Sequence, residues 1–365
     1  MSERKLKAAI IGCGMIAYSA HIPAYKYFSD KYELVAICDV FEKAAREAAE
    51  KYDIPSYFTN AEEMLCSIKP DVVSICVPNM LHKQFVLLCL EHDANVICEK
   101  PLAFTLHDAK EMYALAKSKG LSLMACQSMR FTPDRIAAKK LLDNGEIGTP
   151  YYGEFSRIRR RGIPTWGTFH IKERSGGGAF IDIGVHMVDA VLWLMGNPEI
   201  YSVNGSTCRK LHKEIGTLQS SGALTGSVQN ARKFDPDEMN VEDFSCGTIT
   251  FKNGARINFK VAWAANLRDE TTIRIIGEKS GVELPDGIIH RGIDDDSALE
   301  MMPEKYECGS PFSGHFHVVE DIYDVVVNGK EPIIKPEETI NVAGIIEAFY
   351  RSAELGREVA FEELL

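Results

Sequence analysis

Short apolar runs in the first third of the chain alternate with longer segments in which apolar residues recur every three or four positions. The runs are typical of buried strands, and the longer period is typical of helices that bury one face. The pattern predicts strands at residues 7–11, 33–39, 71–77, 95–98 and 121–126, and helices from about 15 and at 41–52, 61–68, 82–92 and 105–119. Strands that alternate with helices form parallel βαβ units, so we expect a doubly wound α/β sheet with helices on both faces.

The pattern changes near residue 128, where a different succession of elements begins. It predicts helices at 133–144, 315–328 and 336–355, and a further helix that ends near residue 195. It predicts strands at 151–161, 199–206, 243–251, 255–263 and 271–276. Asn253-Gly254 indicates a tight hairpin, and we expect the later strands to follow one another in antiparallel order. The sequence thus predicts a first domain at 1–127 and an α+β second domain with a largely antiparallel sheet at 128–365. Residues 210–238 are expected to form a long exposed loop.

Composition narrows the class of protein without indicating a reaction. The chain has 365 residues, 45% of them hydrophobic and 25% charged, which is ordinary for a globular protein of two domains. With 41 basic and 52 acidic side chains the net charge is −11, and no basic stretch extends beyond residues 157–161. This acidic balance argues against a nucleic acid or an anionic membrane surface as a partner.

The ten cysteines lack the C-x-x-C spacing of zinc or redox sites, and most of them lie in apolar stretches. We therefore expect reduced, mostly buried thiols and a cytoplasmic protein. The apolar run at 8–17 is interrupted by two glycines, which is unlike a signal peptide. The apolar segment at 179–196 carries three ionisable residues, which is unlike a membrane span.

A glycine-rich turn follows the first predicted strand and opens the first helix, with the sequence Gly12-Cys13-Gly14-Met15-Ile16-Ala17. In such G-x-G-x-x-G/A loops the first glycine permits a tight turn, the second lets a pyrophosphate approach the backbone, and the helix N-terminus faces the phosphates. Asp39 ends the second strand, where a carboxylate binds the ribose of a dinucleotide. The combination predicts a dinucleotide site that favours NAD over NADP, because Asp39 repels a 2′-phosphate. The alternative is a tight βα turn with a solvated Asp39.

Further motifs have the pattern of a known family. In chain order they are Val77-Pro78-Asn79 with His82, Glu99-Lys100-Pro101, Arg130-Phe131 leading to Pro133, and Gly176-Gly177-Gly178 leading to Asp182, His186 and Asp189. In these motifs, over nearly its whole length, the chain resembles the Gfo/Idh/MocA oxidoreductases.

The resemblance implies an N-terminal Rossmann domain, a C-terminal domain with an open-faced sheet, and a nicotinamide cofactor, NAD, between them. The residues expected to bind the cofactor are Gly12, Gly14, Met15, Ile16, Asp39, Pro78, Asn79, His82, Glu99 and Lys100. The residues expected to bind the substrate are Lys100, Arg130, Trp166, Asp182 and His186. Typical substrates of the family are sugars, cyclitols and their derivatives.

Lys100, Asp182 and His186 are the candidate catalytic residues, and their chemistry suits the oxidation of a secondary alcohol. An unperturbed histidine titrates at about 6.5, so His186 can accept the hydroxyl proton near neutral pH. Asp182 lies four positions earlier, so a helix places both side chains on one face, where Asp182 would bind the substrate hydroxyl or orient the imidazole. Lys100, at the carboxyl edge of the first sheet, can hydrogen-bond the reacting oxygen.

Each of these residues also has a simpler explanation. Lys100 could be a surface lysine, His186 a satisfied core residue and Asp182 a helix cap. Asp182, His186 and Asp189 could be metal ligands at i, i+4 and i+7, but their occurrence together with the glycine loop favours catalysis by Lys100 and His186, with Asp189 supporting the helix. We expect no metal site, because the histidines at 315 and 317 lack further ligands at suitable spacing.

Two features of the second domain bear on a substrate surface. The loop at 162–170 holds Trp166 between glycines, and a cover for a sugar ring and a hydrophobic plug against the sheet explain it equally well. Arg157, Arg159 and Arg161 alternate onto one face of a strand, with Arg160 on the other. They could recognise an anionic substrate, but a solvated or subunit-facing edge is favoured.

The leading hypothesis is an NAD-dependent dehydrogenase or reductase that acts on a carbohydrate or cyclitol hydroxyl. One alternative is oxidation of a glycoside at C3 with NAD that stays bound and is recycled, before the aglycone is eliminated. Another is an NAD-sensing regulator without turnover, which the intact Lys100, Asp182 and His186 disfavour. The open sheet face leads us to expect a homodimer or a homotetramer.

Overall fold

The computed structural model of the chain describes residues 5–213, 234–291, 298–300 and 314–365. Most of the loop expected at 210–238 lies outside the described residues.

Six short strands form the first sheet. They are β1 Leu6–Ile11, β2 Tyr32–Cys38, β3 Ser56–Phe58, β4 Val72–Ile75, β5 Asn95–Cys98 and β6 Leu123–Ala125. Their order is β3-β2-β1-β4-β5-β6, and every neighbouring pair is parallel. The parallel sheet expected from the sequence is therefore confirmed. The three residues of β3 were not predicted, because so short a segment carries too little alternation to be recognised.

Helices connect these strands and cover both faces of the sheet. They are α1 Ile22–Tyr27, α2 Glu42–Tyr52, α3 Ala61–Ile68, α4 His82–Glu91 and α5 Leu106–Lys119. A π-helical turn, Ala17–His21, leads from the glycine loop into α1. Asn60 caps α3 as predicted, since its side-chain oxygen accepts a hydrogen bond from the Glu63 N–H at 3.1 Å.

The second domain combines helices with one large sheet. Its helices are α6 Pro133–Asp143, α7 Lys172–Ser175, α8 Val185–Leu194, α9 Gly314–Asn328 and α10 Pro336–Leu355. Its strands are β7 Pro150–Ile158, β8 Ile200–Cys208, β9 Phe244–Phe251, β10 Arg256–Ala262, β11 Glu270–Gly277, β12 Ser280–Leu284, β13 Ile288–Arg291, β14 Ala298–Glu300 and β15 Val359–Ala360. Another π-helical turn, Phe180–Gly184, leads into α8.

The nine strands of the described residues lie in the order β14-β13-β12-β11-β7-β10-β9-β8-β15, and β10 beside β7 is the one parallel pair among them. The antiparallel hairpin predicted at Asn253-Gly254 joins β9 to β10. The expectation that β11 follows β10 as its antiparallel neighbour is wrong, because β7 lies between them. Alternation along a strand reveals which face is buried, but it carries no information about which strand lies alongside.

One face of the large sheet is covered and the other is open. On the covered face Phe155 of β7 stacks on Phe259 of β10 at 5.2 Å, and Phe180 stacks on Phe349 of α10 at 3.9 Å. On the other face Arg274 forms ion pairs with Glu154 and with Glu283, and its side chain is 42% exposed. The open-faced sheet expected from the resemblance is confirmed.

The last two helices connect the domains. Phe316 and Ile322 of α9 belong to the same buried cluster as Ile10 and Tyr25 of the first domain. Helix α10 packs against both α5 and β8. The boundary after residue 127 stays a prediction. Helix α9, which comes late in the chain, contributes side chains to the core of the first domain.

Among the described residues, the stretch Lys172–Leu194 is long and apolar enough to cross a membrane, but 83% of its most apolar window is buried, as in a core helix. The nine described cysteines are all free thiols. Most are buried as expected, whereas Cys66 and Cys208 are exposed.

Candidate active site

The glycine loop turns sharply between β1 and the first helix. Gly12 has a φ of +101°, and a Cβ atom there would lie 2.5 Å from the carbonyl oxygen of Cys76. Its N–H donates to the Cys38 carbonyl oxygen at 2.8 Å, which ties the loop to β2. Both the backbone angle and the close approach therefore require glycine at position 12.

Gly14 has a different reason to be glycine. A Cβ atom there would meet only the Cys76 carbonyl oxygen, at 3.9 Å, so the fold itself leaves room for a side chain. Gly14 is exposed at the start of a helical segment, beside the exposed Met15 and the half-buried Ile16. An open backbone surface at a helix N-terminus fits a pyrophosphate, which would need the space that a side chain would fill.

Asp39 holds the glycine loop in place. Its carboxylate accepts hydrogen bonds from the Cys13 N–H at 2.8 Å and from the Phe41 N–H at 2.9 Å. The carboxylate is half-exposed at the end of β2, where it can also bind a ribose hydroxyl. Burial, followed by the negative charge of Asp39, raises the pKa of the Cys13 thiol, so this cysteine stays protonated.

Asn79 and His82 connect the loop after β4 to its surroundings. The Asn79 side-chain amide donates to the Ser175 carbonyl oxygen in the second domain at 2.9 Å. His82 is buried, and its ring nitrogens lie 2.7 Å from the Pro101 carbonyl oxygen and 3.0 Å from that of Val77. His82 was expected among the cofactor-binding residues, but both nitrogens contact backbone carbonyls. Its geometry is that of a positioning residue, which holds the segments around Pro78 and Lys100 together.

Lys100 and Asp182 meet between the two domains. The Lys100 Nζ donates to the Asp182 carbonyl oxygen at 2.7 Å and to its Oδ1 at 3.2 Å, and both side chains are largely buried. The indole Nε1–H of Trp263 donates to the other carboxylate oxygen of Asp182 at 2.9 Å. Trp263 is fully buried and was not identified from the sequence, because a tryptophan at the end of an apolar strand is indistinguishable from a core residue.

His186 lies near this ion pair, at the start of α8. Burial, followed by the positive charge of Lys100, lowers the pKa of His186 well below its usual value. The imidazole is therefore neutral at pH 7 and available as a proton acceptor. Its Nδ1 is buried, and the described residues offer it no hydrogen-bond partner. An unsatisfied buried nitrogen beside a lysine suits a polar ligand atom.

Glu99, the residue before Lys100, is held in place by two histidines. Its Oε1 lies 2.9 Å from the His21 Nε2 and 3.3 Å from the His315 Nε2, and its Oε2 accepts the Lys100 N–H at 3.3 Å. His21 in turn contacts Ser74 at 3.0 Å. Four side chains each place one atom of a type that binds metals within 4.8 Å of the others: His21, Glu99, Cys126 and His315. The 2.9–3.3 Å distances from Glu99 Oε1 are hydrogen-bond distances, so the carboxylate is stabilised by donors of the protein. His315 was not recognised from the sequence as a partner of Glu99, because it belongs to a helix far away in the chain.

Arg130, which was expected to bind the substrate, lies in a buried ion-pair network. Its guanidinium is buried and makes two hydrogen bonds to Asp189, at 2.7 Å and 2.5 Å, and a further one to Glu338. All of its charge is therefore directed to buried carboxylates of the second domain. A surface arginine would be free for a ligand, but burial forces this one to pair within the protein. Asp189 supports the structure, as expected.

The triple glycine before α8 also acts through packing. A Cβ atom at Gly178 would lie 2.0 Å from the Glu242 carbonyl oxygen, and one at Gly177 would lie 2.0 Å from the Tyr350 hydroxyl oxygen. The Glu242 carboxylate accepts hydrogen bonds from the N–H groups of Gly178 at 2.9 Å and Phe180 at 3.0 Å. Glu242 thus caps the turn that carries Asp182, and no local signal in the sequence pointed to it.

Trp166 lies in the loop after β7. It is half-buried, and its ring lies 6.5 Å from that of Phe169 in an edge-to-face arrangement. Its indole Nε1 is buried without a hydrogen-bond partner among the described residues. No described contact joins it to Lys100, Asp182 or His186, so its substrate role stays a prediction.

The fold and the site define a class of protein: an oxidoreductase with a dinucleotide site on a Rossmann sheet and polar side chains beside it. The profile described as "Oxidoreductase family, NAD-binding Rossmann fold" matches residues 6–126, and the GFO/IDH/MocA C-terminal domain matches residues 136–283. The chain belongs to the GFO/IDH/MocA family of NAD-dependent oxidoreductases.

Individual relatives span the whole chain. D-glucoside 3-dehydrogenase of Escherichia coli K12 is 34% identical over 361 residues, which cover 98% of each chain. D-apiose dehydrogenase of Paraburkholderia graminis is 25% identical and covers 99% of this chain and 91% of its own. A crystal structure of an oxidoreductase domain protein from Kribbella flavida superposes with a TM-score of 0.82 at 22% identity, covering 98% of this chain and 99% of that one.

Proposed function

We propose that the protein transfers a hydride between a secondary hydroxyl or ketone of a sugar, cyclitol or glycoside and the nicotinamide of NAD. The observation that carries this proposal is the meeting of Lys100 with Asp182 beside a neutral His186, at the carboxyl edge of the Rossmann sheet. The bound nicotinamide supplies the hydride acceptor, and the chain supplies the proton acceptor and the groups that hold the substrate.

His186 is the general base of this proposal. Its low pKa keeps the imidazole unprotonated at neutral pH, so it can take the proton of the reacting hydroxyl. In the reverse direction the same group returns the proton to the ketone oxygen.

Lys100 is the group that polarises the reacting oxygen. Its Nζ donates two hydrogen bonds to Asp182, which leaves the third N–H for the substrate oxygen. A positive charge held in this way stabilises negative charge that develops on the oxygen during hydride transfer. Asp182 positions Lys100, and Trp263 holds Asp182 in turn.

A second candidate function is oxidation of a glycoside at C3, with NAD that stays bound and is recycled. The relation to D-glucoside 3-dehydrogenase, at 34% identity over nearly the full length of both chains, favours this candidate. The two functions share the same residues and differ in whether NADH leaves after each turnover.

The test is a screen by NADH fluorescence against inositols, aldoses, 1,5-anhydro sugars and glycosides. Continuous NADH release with one class supports a dehydrogenase, and a burst of bound NADH without net consumption of NAD supports the recycled cofactor. Tight NAD binding with no reduction by any of these compounds would instead favour a regulator without turnover. We also infer a cytoplasmic homo-oligomer that pairs through the open face of the large sheet, which size-exclusion chromatography with light scattering can test.

A further inference from the structure

Arg157 of β7 lies on the covered face of the large sheet. Side chains of a strand alternate between faces, and Gly153 and Phe155 both face inward, against α8 and against Phe259. Arg157 continues this inward series, and its Nη1 donates to the Thr271 hydroxyl at 2.5 Å. Arg159 follows beyond the end of the strand and donates to the Gly162 carbonyl oxygen at 3.5 Å.

This position is next to the catalytic ion pair. Arg157 pairs in register with Val261 of β10, and Trp263 follows two residues later with its Nε1 on Asp182. Burial, followed by the positive charges of Arg159 and Arg135, lowers the pKa of Arg157, whereas the carboxylate of Asp182 raises it. Arg157 is therefore close enough to Asp182, the partner of Lys100, for their charges to interact.

Neither Arg157 nor Arg159 has a carboxylate within ion-pair distance among the residues that the structure describes. Two other arginines differ in this respect: Arg130 pairs with two carboxylates, and so does Arg274 on the open face. An arginine is always charged, and a partly buried charge without a counter-ion is costly. Two such charges side by side, with only neutral acceptors, form a site suited to an anion.

We propose that Arg157 and Arg159 bind an anionic group of the substrate, a carboxylate or a phosphate ester carried by the sugar. The proposal rests on the proposed function, in which Lys100 and His186 act on a hydroxyl of that sugar. A guanidinium donates two parallel hydrogen bonds to two oxygens of either group. Because the anionic group is fixed in this way, the position of the reacting hydroxyl relative to Lys100 is fixed as well.

The test compares three ligands that share one ring and differ at C6: methyl β-D-glucopyranoside, methyl β-D-glucuronide and methyl β-D-glucopyranoside 6-phosphate. Their affinities for the NAD-saturated protein are measured by calorimetry, and their oxidation is followed separately by NADH fluorescence. We expect at least one anionic ligand to bind about 10- to 100-fold more tightly than the neutral glycoside. The one that does so identifies the anion as carboxylate or phosphate.

Arg157→Met and Arg159→Met should remove this advantage while the affinity for the neutral glycoside changes little. Arg160→Met is the matched control, because it removes the same charge from an exposed neighbour on the other side of the strand. Arg157→Lys keeps the charge without the planar fork and should retain part of the advantage, so a loss caused by misfolding is recognised.

Equal affinities for the three ligands, or variants at 157 and 159 that behave like Arg160→Met, would overturn the anion site. Binding with the expected pattern but without NADH formation would support the anion site and count against the proposed function. Oxidation of the neutral glycoside with no preference for an anion would do the reverse.

Discussion

Lys100 and Asp182 are 82 positions apart in the chain, and the ammonium of one donates to both the backbone carbonyl and the carboxylate of the other. Lys100 comes from the end of the Rossmann sheet, and Asp182 comes from the π-helical turn before α8. The contact joins the first sheet to the segment before α8, where the proposed chemistry takes place. Both domains must therefore be folded and docked before the site is complete.

Replacement of His186 by Ala should lower kcat by about 10²- to 10⁴-fold, because the proton acceptor is lost. The affinity for NAD should be unchanged, since the glycine loop and Asp39 are untouched. NADH formation measures the first quantity and calorimetry the second. Unchanged turnover in this variant would contradict the role of His186.

The pH dependence of oxidation should follow the protonation of His186. Protonated His186 cannot accept a proton, so kcat/KM falls when the pH drops through its pKa. Burial and Lys100 hold that pKa below the usual value of about 6.5, and the decline should therefore begin only below pH 6.5. A pH profile of kcat/KM from 4.5 to 9 checks this, and an acid limb centred above pH 7 would count against it.

Asp39→Ala should weaken NAD binding by about tenfold and reduce the preference for NAD over NADP. The change removes the proposed acceptor for the ribose and leaves the N–H groups of Cys13 and Phe41 without their partner. Asp39→Asn is the control, because it keeps one acceptor oxygen for the loop while removing the negative charge. Affinities for both dinucleotides, measured side by side, are the readout. Tighter NADP binding by the unaltered protein would refute the role assigned to Asp39.

Trp263→Phe should separate positioning from packing. Phenylalanine fills much of the indole's space but cannot donate to Asp182, so the carboxylate and Lys100 lose one restraint. We expect kcat to fall by about tenfold with KM less affected, and the free energy of unfolding to fall by about 1–2 kcal/mol. Trp193→Phe, in the same domain and stacked near Arg130, is the control that should leave kcat unchanged. Equal losses of kcat in both variants would indicate a general packing effect.

Arg130→Leu should destabilise the fold rather than impair substrate binding. It leaves the buried carboxylates of Asp189 and Glu338 without their counter-ion, at a cost of about 3–5 kcal/mol. Urea unfolding measures this loss, and KM of the folded fraction should stay close to that of the unaltered protein. A raised KM with unchanged stability would restore Arg130 to the substrate site.

The sequence by itself determined the local features. The alternation of periods identified five of the six strands of the first sheet, and Gly12 and Gly14 marked the cofactor loop, because periodicity and turn chemistry depend on residues close together in the chain. Motifs also brought Lys100, Asp182 and His186 into consideration as a set. These inferences needed no knowledge of which distant segments meet.

Only the tertiary structure decided which strands lie side by side and which side chains form ion pairs. It placed β7 between β10 and β11, buried Arg130 against two acids, and left Arg157 hydrogen-bonded to the Thr271 hydroxyl without an acid. The two arginines are chemically identical in the sequence, and their difference arises from the carboxylates that folding brings to one and withholds from the other. Long-range contacts depend on how whole elements pack, and the local pattern carries no record of that packing.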